Sequence, residues 1–504
     1  MSYLPNLTFF ALYFAYTISC LGDRIWTFSI IFVLSELGGL RLVTINQLFQ
    51  GLSQMVLASY VGNWYDNFGR QIGVQLFLGF NNLSIAASAA LLAVTLHLSK
   101  TSESYYYLIT LIFSIIFCSI SMAAASGEKL AFSKDWIVVM VQASDVTEEG
   151  HSEGDEQNII KQQKRLSAQN AILTVLDMLA AIIAPLGSGF VLKHFGLLNG
   201  CLVIVGWNIL GWASESAILF WIYQEVEALS IKKLNNPETS ANEIKQENRL
   251  SIIQMFKIYF SQAVFPAALG LSFLYMTVLA FDGISISFGE REGFDASILG
   301  TFQSIGSALG MTAALSFPFL ASKFGLSKTA FFGLTAELIA LGICIVSVFL
   351  PGSPFDLKGY FGTITIKEWW QTFLDTFKST AATKSNSMNE TSGMNWSKFE
   401  VNSKSADSLF FLFTGITLAR FGLWLTDLAI TQIMQETVIE EKRGTIFGVE
   451  NALCQFFSVS KDIFAILLPD SKTFGILVFI SVAAVAAAFF LFICHLFNSK
   501  KKQT

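Results

Sequence analysis

About a dozen apolar segments follow one another along this 504-residue chain. Each is long enough to cross a lipid bilayer, for which a helix needs about 20 mostly apolar residues. The predicted spans are 8–36, 39–61, 71–95, 106–131, 168–191, 199–223, 258–288, 296–320, 329–350, 407–433, 444–468 and 473–497. Only 14% of the residues are charged, against about 25% in soluble proteins. The sequence therefore predicts an all-α polytopic membrane protein with about 12 transmembrane helices.

The predicted spans fall into two groups of six. Residues 1–223 form an N-terminal half, 224–257 a polar cytosolic linker, and 258–504 a C-terminal half with an extracellular loop at 351–406. Two six-helix halves are typical of the major facilitator superfamily. With the N-terminus inside, the cytosolic segments hold 17 Lys and Arg residues and the short outer loops hold 5. This bias predicts that both termini are cytosolic.

The loop after the second span, residues 62–70, reads Gly-Asn-Trp-Tyr-Asp-Asn-Phe-Gly-Arg. It resembles the G-x-x-x-D-x-x-G-R loop of the major facilitator superfamily, in which a carboxylate and a basic residue help to latch the cytosolic face. The resemblance implies a gating role for Asp66 and Arg70. The alternative is a plain tight turn, for which Gly and Asn are also typical.

The extracellular loop at 351–406 is polar and rich in Ser, Thr and Asn. It contains two glycosylation sequons, which begin at Asn389 and Asn395. Such triplets also occur by chance, but their place in the one large outer loop favours modification. We expect most of this loop to be mobile, because its composition is too polar to form a core.

Ionisable residues within the spans are the strongest functional signal, because a charge at the centre of a bilayer is costly. Cys20, Asp23 and Thr27 have the spacing i, i+3, i+7, so they share one face of a helix. A carboxylate beside a thiol and a hydroxyl suits contact with a cation. We interpret the adjacent Glu128 and Lys129 instead as a local ion pair near the cytosolic face.

A second candidate group lies on the sixth span, where Asn208 and Glu215 are seven residues apart and share a face. Together with Asn81 and Asp23 they form a candidate all-oxygen cluster in the N-terminal half. Hard ions such as calcium prefer ligands of this type. Spacing within one helix does not establish that the four side chains meet.

In the C-terminal half, Asp282 lies beside Gly283 on the seventh span. The small residues there predict a locally broken helix, a common device at transporter sites. On the eleventh span, Glu450, Cys454 and Lys461 share a face. A buried Lys would repel a bound cation unless it is deprotonated or paired with an acid.

Several motifs together resemble those of the ferroportin family, the iron-exporting solute carriers of animals. They are GDRIW at 22–26, DWIVV at 135–139, LYMTVL at 274–279, PGSP at 351–354, and the block from 420 to 451. The resemblance extends over nearly all spans. It implies a major-facilitator-like fold with one metal site in each half.

The resemblance implies that Asp23, the acid of the GDR motif, is a ligand of the N-terminal metal site. The usual His partner of that acid is replaced here by Thr27. The C-terminal site of the family uses a Cys and a His, where this chain has Gly283 and Lys461. Asp177 matches a functionally sensitive acid of the fifth span.

The family also has a calcium site, which the resemblance implies here as a regulatory one. Asp23, Asn208 and Glu215 match its ligands, and Asn81 stands where a Gln is usual. We expect no other cofactor, with Fe²⁺ as the substrate.

The missing imidazole and thiolate ligands suit borderline and soft transition metals, so we expect weak iron binding in the C-terminal half. One hypothesis is that Lys461 replaces the cation there and neutralises Asp282 or Asp462. The other hypothesis is that Cys20 and Cys454 supply soft ligands one or two turns away.

The peptide hormone hepcidin binds members of the family near the Cys of the seventh span, partly through the metal. Because Gly283 offers no sulfur, we expect hepcidin to bind weakly or not at all.

Taken together, the sequence predicts a ferrous iron exporter that works by alternating access, with proton antiport implied by the resemblance. The alternatives are a transporter of another divalent metal or small organic solute, and a non-transporting membrane receptor or scaffold. An enzyme is not expected, because no phosphate loop, nucleophile elbow or HExxH motif occurs. We expect the plasma membrane, but the C-terminal Lys-Lys-Gln-Thr resembles a dilysine retrieval signal and points to an internal membrane as the alternative.

Overall fold

The structure is a computed structural model that describes residues 5–67, 69–99, 104–148, 155–230, 252–378, 394–402 and 404–501. Nearly all of these residues are helical, and the strands among them are one short antiparallel pair, Glu400–Val401 with Lys404–Ser405. Helices dominate because a span in lipid must satisfy its backbone N–H and C=O groups internally. The predicted all-α polytopic fold is confirmed. Residues 502–504 of the dilysine-like tail, which include its second lysine, lie outside the described residues.

The chain divides into two compact units, the first mainly before Asn236 and the second mainly from Asn236 onward. The segment Leu34–Gly51 is an exception, because it belongs to the second unit although it lies early in the chain. The division into halves at 224–257, which follows the order of the spans, stays a prediction.

Two long helices each contain two spans that meet at a glycine. Helix α1 (Pro5–Asn67) breaks at Gly39, which has φ 67° and ψ −163°. The helix Asp155–Glu225 breaks at Gly196, which has φ 76° and ψ 170°. L side chains rarely adopt these conformations, so glycine is the residue that permits each break. Both breaks lie between spans that the sequence predicts as separate.

The other helices of the first unit follow in chain order. They are α2 (Arg70–Leu98), α3 (Ser104–Leu130), a π-helical segment (Ala131–Trp136), α4 (Ile137–Glu148), α5 (Asp155–Glu225) and α6 (Glu227–Ser230). The core between them contains fully buried Phe132 and Trp136, both from the π-helical segment. Large apolar side chains therefore anchor the segment that carries the start of the DWIVV motif.

The second unit contains the remaining helices. They are α7 (Ile252–Phe260), α8 (Phe265–Leu274), α9 (Gly283–Arg291), α10 (Ala296–Phe324), α11 (Leu326–Phe349), α12 (Leu357–Thr363), α13 (Ile366–Asp375), α14 (Asp407–Thr437), α15 (Glu440–Leu467) and α16 (Phe474–Lys501). Helix α11 packs against α14 through small residues. Gly333, Gly415 and Gly422 lie there so close to the neighbouring helix that a Cβ atom would meet backbone atoms within 3.0 Å.

The seventh span is broken rather than continuous. Helices α7 and α8 are bent by 111° relative to each other, and α8 ends at Leu274 while α9 begins at Gly283. The prediction of a break beside Gly283, within the predicted seventh span at 258–288, is confirmed. Asp282 caps α9, which explains why the helix restarts at this residue.

The number of spans agrees with the predicted dozen. Among the described residues, eight helices are long and apolar enough to cross a membrane, or nine if the bent pair α7 and α8 is one span. Two of the eight, α1 and α5, each contain two spans that meet at a glycine, which raises the number from nine to eleven. Helix α15, which has 28 residues, is the twelfth span. Its mean hydropathy is lower because it carries the charged residues described below.

The loop at 351–406, which the sequence predicts to be extracellular, contains more regular structure than its composition predicts. Within 351–406, the described residues form α12, α13 and the short strand pair. The guanidinium of Arg41 lies 5.1 Å from the ring centre of Trp369 and 5.6 Å from that of Phe373. The indole of Trp369 donates to the carbonyl of Leu467 at 3.0 Å. These contacts hold α13 against the second unit, because cation–π and hydrogen-bond contacts add to apolar packing.

Candidate functional site

The first unit contains a cavity of about 310 Å³ that is lined by polar and charged side chains. Cys20, Asp23 and Thr27 all line it from α1, as their spacing on one helix face predicts. Asn81 of α2 and Asp177 of α5 also line it. The structure thus brings residues from three helices, which the sequence singled out separately, to one cavity.

Asp23 is compensated by a neutral amide. The side-chain nitrogen of Asn81 donates to Asp23 Oδ1 at 3.0 Å and to Glu128 Oε2 at 3.1 Å. The Ser19 hydroxyl donates to the other oxygen of Glu128. No ion pair within 4 Å reaches Asp23 or Glu128 among the described residues. Two carboxylates therefore meet at one amide, and no basic side chain of the described chain bonds to either.

The interpretation of Glu128 and Lys129 as a local pair is wrong. Glu128 is 2% exposed and turns towards Asn81, whereas Lys129 turns towards Asp177. Adjacent residues on a helix point about 100° apart, so they rarely face the same partner. Sequence reasoning missed Glu128 for this reason, although its place in a span was a usable signal.

Asp177 differs from Asp23 because basic residues already hold it. Its two oxygens accept from Arg24 at 3.0 Å and from Lys129 at 2.8 Å. Both basic side chains are about half exposed, with 44% and 57% of their areas accessible. Asp177, which the family resemblance matches to a functionally sensitive acid, thus lines the cavity and forms ion pairs with two basic residues.

Asn208 and Glu215 do not bond directly to Asp23 or Asn81. The Asn208 amide donates to the carbonyl of Ile204 in its own helix at 2.9 Å, and Glu215 accepts from Asn82 at 3.3 Å. Both residues are buried, at 0% and 1% exposure. The side-chain oxygen of Asn208 (Oδ1) and the second carboxylate oxygen of Glu215 (Oε1) have no hydrogen-bond partner in the described structure.

These unpartnered oxygens bear on the calcium site that the resemblance implies. The Oδ1 atom of Asn81 is also buried without a partner, and the Glu215 carboxylate lies near enough to Glu128 and Asp23 to interact with both electrostatically. Carboxylate and amide oxygens are the ligands that calcium takes. The residues present therefore fit a hard cation in ligand type. Among the described residues, no three His, Cys, Asp or Glu side chains converge as a metal site.

Thr27 and Cys20 line the cavity without replacing the missing imidazole. The Thr27 hydroxyl donates to the backbone carbonyl of Asp23, one turn back. Its hydrogen is therefore committed, and only weak hydroxyl lone pairs face the cavity. The Cys20 thiol is buried and lies near Tyr16.

Arg70, a predicted gating residue, begins α2 and forms an ion pair. Its Nε atom lies 3.0 Å from both oxygens of Asp135, and both side chains are largely buried, at 14% and 12% exposure. The side chain of Asp66 lies outside the described residues. Asp135 was missed as a partner, although the DWIVV motif that contains it was recognised.

In the second unit, Asp282 is neutralised by Lys461. Asp282 Oδ1 accepts from the backbone N–H groups of Ile284 and Ser285, at 3.1 and 3.4 Å. Its Oδ2 accepts from the Lys461 ammonium at 2.7 Å. The two side chains are only 17% and 11% exposed. One oxygen of Asp282 thus caps a helix, and the other holds a fixed cation.

The position of the family's Cys is tightly packed in this chain. A Cβ atom built on Gly283 would lie 2.6 Å from Val43 Cγ1 and 2.9 Å from Gln47 Cδ. A larger residue there therefore requires the side chains of Val43 and Gln47 to shift, and the β-branched Val43 has little freedom to do so. Both the close packing and the start of α9 at this position therefore suit a glycine.

Glu450 and Cys454 share a helix face with Lys461, but their hydrogen-bond partners are different from its partner. Glu450 accepts from the hydroxyls of Tyr259 and Ser272, the latter at 2.8 Å. The Cys454 thiol donates to Glu450 at 3.7 Å. The neighbour of Lys461, Asp462, is 4% exposed and has one oxygen without a partner among the described residues.

Of the two sequons, Asn389 lies outside the described residues. Asn395 is exposed, and its side-chain oxygen accepts from the backbone and hydroxyl of Ser397, the latter at 2.7 Å. Its glycosylation stays a prediction.

Long apolar helices, a broken seventh span and a polar cavity among the helices define a multi-pass membrane transporter. A family model described as Ferroportin1 (FPN1) matches residues 6–151 and 158–485, so the chain belongs to the ferroportin family. It is 30% identical to ferroportin of Rattus norvegicus over 95% of this chain and 89% of that protein. It is a transporter and not an enzyme.

Two solved structures show the same fold at low sequence identity. A bacterial homologue of the iron transporter ferroportin, in its inward-facing state, has a TM-score of 0.67 and 17% identity over 97% of this chain and 98% of its own. A peptide transporter POT bound to alafosfalin has a TM-score of 0.61 and 13% identity over 98% and 95%. The predicted major-facilitator-like fold is thereby confirmed.

Proposed function

We propose that this chain exports ferrous iron from the cytosol by alternating access, and that the ion contacts Asp23 in the first unit. Membership of the ferroportin family supports a metal ion as the substrate. The observation that carries the proposal is the environment of Asp23, whose carboxylate lines the 310 Å³ cavity and bonds to an amide rather than to a basic side chain.

The physical argument concerns the cost of charge in a membrane. A buried carboxylate is expensive unless a cation or several hydrogen bonds compensate it. Asp177 and Asp282 have fixed cations, Lys129 and Lys461 among them. Asp23 has none bonded to it, so a diffusible divalent ion is the natural partner. A cation that leaves again is what transport requires.

The second unit has a fixed cation in place of a metal. The ammonium of Lys461 occupies the position beside Asp282 that the family resemblance assigns to a metal ligand. Coulomb repulsion between an ammonium and a divalent ion at this distance opposes metal binding there. Transport therefore uses one metal site, in the first unit.

Three further features belong to the same proposal. Both termini are cytosolic and the protein works in the plasma membrane, with the ion pair of Arg70 and Asp135 as part of the cytosolic gate. Calcium regulates transport through the oxygens of Asn208 and Glu215 together with Asp23. Protons move in exchange for the metal, and acids such as Asp23 carry them because the imidazoles usual in the family are absent.

The test is iron efflux from cells that express the wild type or Asp23→Ala. Cells are loaded with radiolabelled iron, and release into the medium is followed. We expect the wild type to speed release and Asp23→Ala to return it to the level of untransfected cells. The matched control is Asp375→Ala, which removes an exposed acid paired with Lys378 in the outer loop and should release iron like the wild type. Equal release by wild-type and untransfected cells contradicts the proposal.

A further inference from the structure

We infer that Glu128 is a ligand for the transported metal, and that with Asp23 and the amide oxygen of Asn81 it forms a divalent-cation site built only from oxygen atoms. The inference rests on the proposed contact between the cation and Asp23. Its new content is the identity of the second charged ligand and the preference for harder metals that follows from it.

The first observation is that one amide nitrogen joins the two carboxylates. Asn81 Nδ2 lies 3.0 Å from Asp23 Oδ1 and 3.1 Å from Glu128 Oε2. Both hydrogens of one NH₂ group are thus shared between two anionic oxygens. The amide stands where a positive ion between the carboxylates would lie. A cation that binds both carboxylates takes the place of these two hydrogen bonds.

The second observation is independent of the acids and concerns the oxygen of the same amide. Asn81 is 2% exposed, and its Oδ1 has no hydrogen-bond partner among the described residues. An unpartnered buried carbonyl loses its hydrogen bonds to water and gains none in return, so it is destabilising. A half-turn of the amide exchanges its nitrogen and oxygen, so that the oxygen faces the two carboxylates. A metal ion between them then gains a third ligand, and the unpartnered oxygen gains a partner.

The basic residues around the cavity act on Asp23 only from a distance, because neither bonds directly to Asp23 or Glu128 in the described structure. The two basic residues that line it, Arg24 and Lys129, both bond to Asp177. Among the described residues, Asp23 accepts a side-chain hydrogen bond from Asn81, and Glu128 accepts from Asn81 and Ser19. Two negative charges at one amide repel each other, and a divalent ion cancels that repulsion. The Ser19 hydroxyl holds Glu128 in the orientation that the site needs.

The donor set determines the chemistry of the ligand. Carboxylate and carbonyl oxygens suit harder ions such as Mn²⁺, whereas imidazole and thiolate favour Zn²⁺ and Cu²⁺. The carboxylate of Glu128 supplies a charged ligand where Thr27 has replaced the His that the family resemblance leads us to expect. Mn²⁺ should therefore bind this site, and a nitrogen ligand at position 128 should shift the preference towards Zn²⁺.

The direct test is Mn²⁺ binding to the purified full chain, measured by the loss of the free-ion electron paramagnetic resonance signal. Loss of one outer-shell partner alone weakens metal sites by about 10–100-fold, so Glu128→Gln should weaken binding by at least about 10-fold. The double variant with Asp23→Asn should be little worse than either single variant, because the two acids act on one ion. Glu450→Gln, a matched buried Glu that bonds to Tyr259 and Ser272, should bind like the wild type.

A second variant gives a gain rather than a loss. Glu128→His should raise the affinity for Zn²⁺ relative to Mn²⁺ by about 10-fold or more, because it adds an imidazole to the ligand set. If Glu128→Gln fails to fold, Glu128→Asp keeps the charge and should bind with intermediate affinity. An unchanged Zn²⁺ to Mn²⁺ ratio in a folded Glu128→His protein contradicts the inference.

The outcomes separate this inference from the proposed function. If Asp23→Asn loses Mn²⁺ binding while Glu128→Gln binds like the wild type, Glu128 is a structural acid held by Ser19 and Asn81, and only the inference fails. If the wild type binds no metal and Asp23→Asn changes nothing, the proposed function fails as well.

Discussion

Asp23 in the first unit and Asp282 in the second unit are both carboxylates within spans, but they are compensated differently. The carboxylate of Asp23 accepts from the neutral amide of Asn81 at 3.0 Å, whereas that of Asp282 bonds to the ammonium of Lys461 at 2.7 Å. A fixed ammonium satisfies the charge permanently. An amide supplies a hydrogen bond but leaves the charge, so a mobile cation can still bind and leave.

Under the proposed function, this difference explains how one metal site is enough where the family resemblance implies one in each half. Lys461 belongs to the chain and cannot dissociate, so the second unit keeps the charge balance of an occupied site at all times. Under the same proposal, the first unit alternates between a bound ion and the Asn81 hydrogen bonds seen in the structure. In this proposal, only the first unit binds and releases the metal.

Lys461→Met tests the strength of the fixed pair and should have the largest effect. It leaves Asp282 buried without a cation, and breaking a buried ion pair in this way costs about 3–5 kcal/mol. Thermal unfolding of the purified protein in detergent should show a clearly lower midpoint. The double variant Lys461→Met with Asp282→Asn removes both charges and keeps a helix cap. It should recover most of the loss, and no recovery contradicts the pair as the cause.

Lys461→His tests whether the second unit can regain a metal site. The imidazole replaces the fixed cation beside Asp282 and is a ligand that suits iron and zinc. Isothermal titration should then show a second binding event or a rise in overall affinity. Lys461→Gln, which removes the ammonium without adding an imidazole, serves as the control. An affinity that does not rise in Lys461→His speaks against Lys461 as the stand-in for the metal.

Cys454→Ser tests whether a thiol relocates soft ligands in the second unit. The thiol donates to Glu450 at 3.7 Å, a hydrogen bond that a hydroxyl can also make. We therefore expect iron efflux to stay within about 2-fold of the wild type, the change that a modest hydrogen-bond difference produces. Cys20→Ser tests the same hypothesis in the first unit, where the Cys20 thiol lines the cavity beside Asp23. A large loss in Cys454→Ser revives the hypothesis of relocated sulfur ligands.

Exposure to hepcidin should have no effect at all. Position 283 has no thiol, and both the capping of α9 and the ion pair of Lys461 occupy Asp282. Surface labelling of cells that express the chain should stay constant as the peptide concentration rises. A ferroportin that responds to the peptide, expressed in the same cells, provides the positive control. Dose-dependent internalisation of this chain overturns the prediction.

The sequence was most informative where one helix decides the arrangement. Cys20, Asp23 and Thr27 share a cavity because residues three and seven apart on a helix must share a face. The break beside Gly283 was also readable, since small residues next to an acid mark a helix start. The hydrogen bond between Glu128 and Asn81 could not be predicted, because the two residues are 47 positions apart and lie on different helices.

By itself the sequence determined that this chain crosses the membrane about a dozen times and carries acids within its spans, because apolar length and local charge are properties of single segments. Only the tertiary structure decided which acids have a fixed cation. Asp23 and Asp282 look alike in sequence, each an acid beside a glycine. What separates them is the side chain that another helix brings within about 3 Å, an amide in one case and an ammonium in the other.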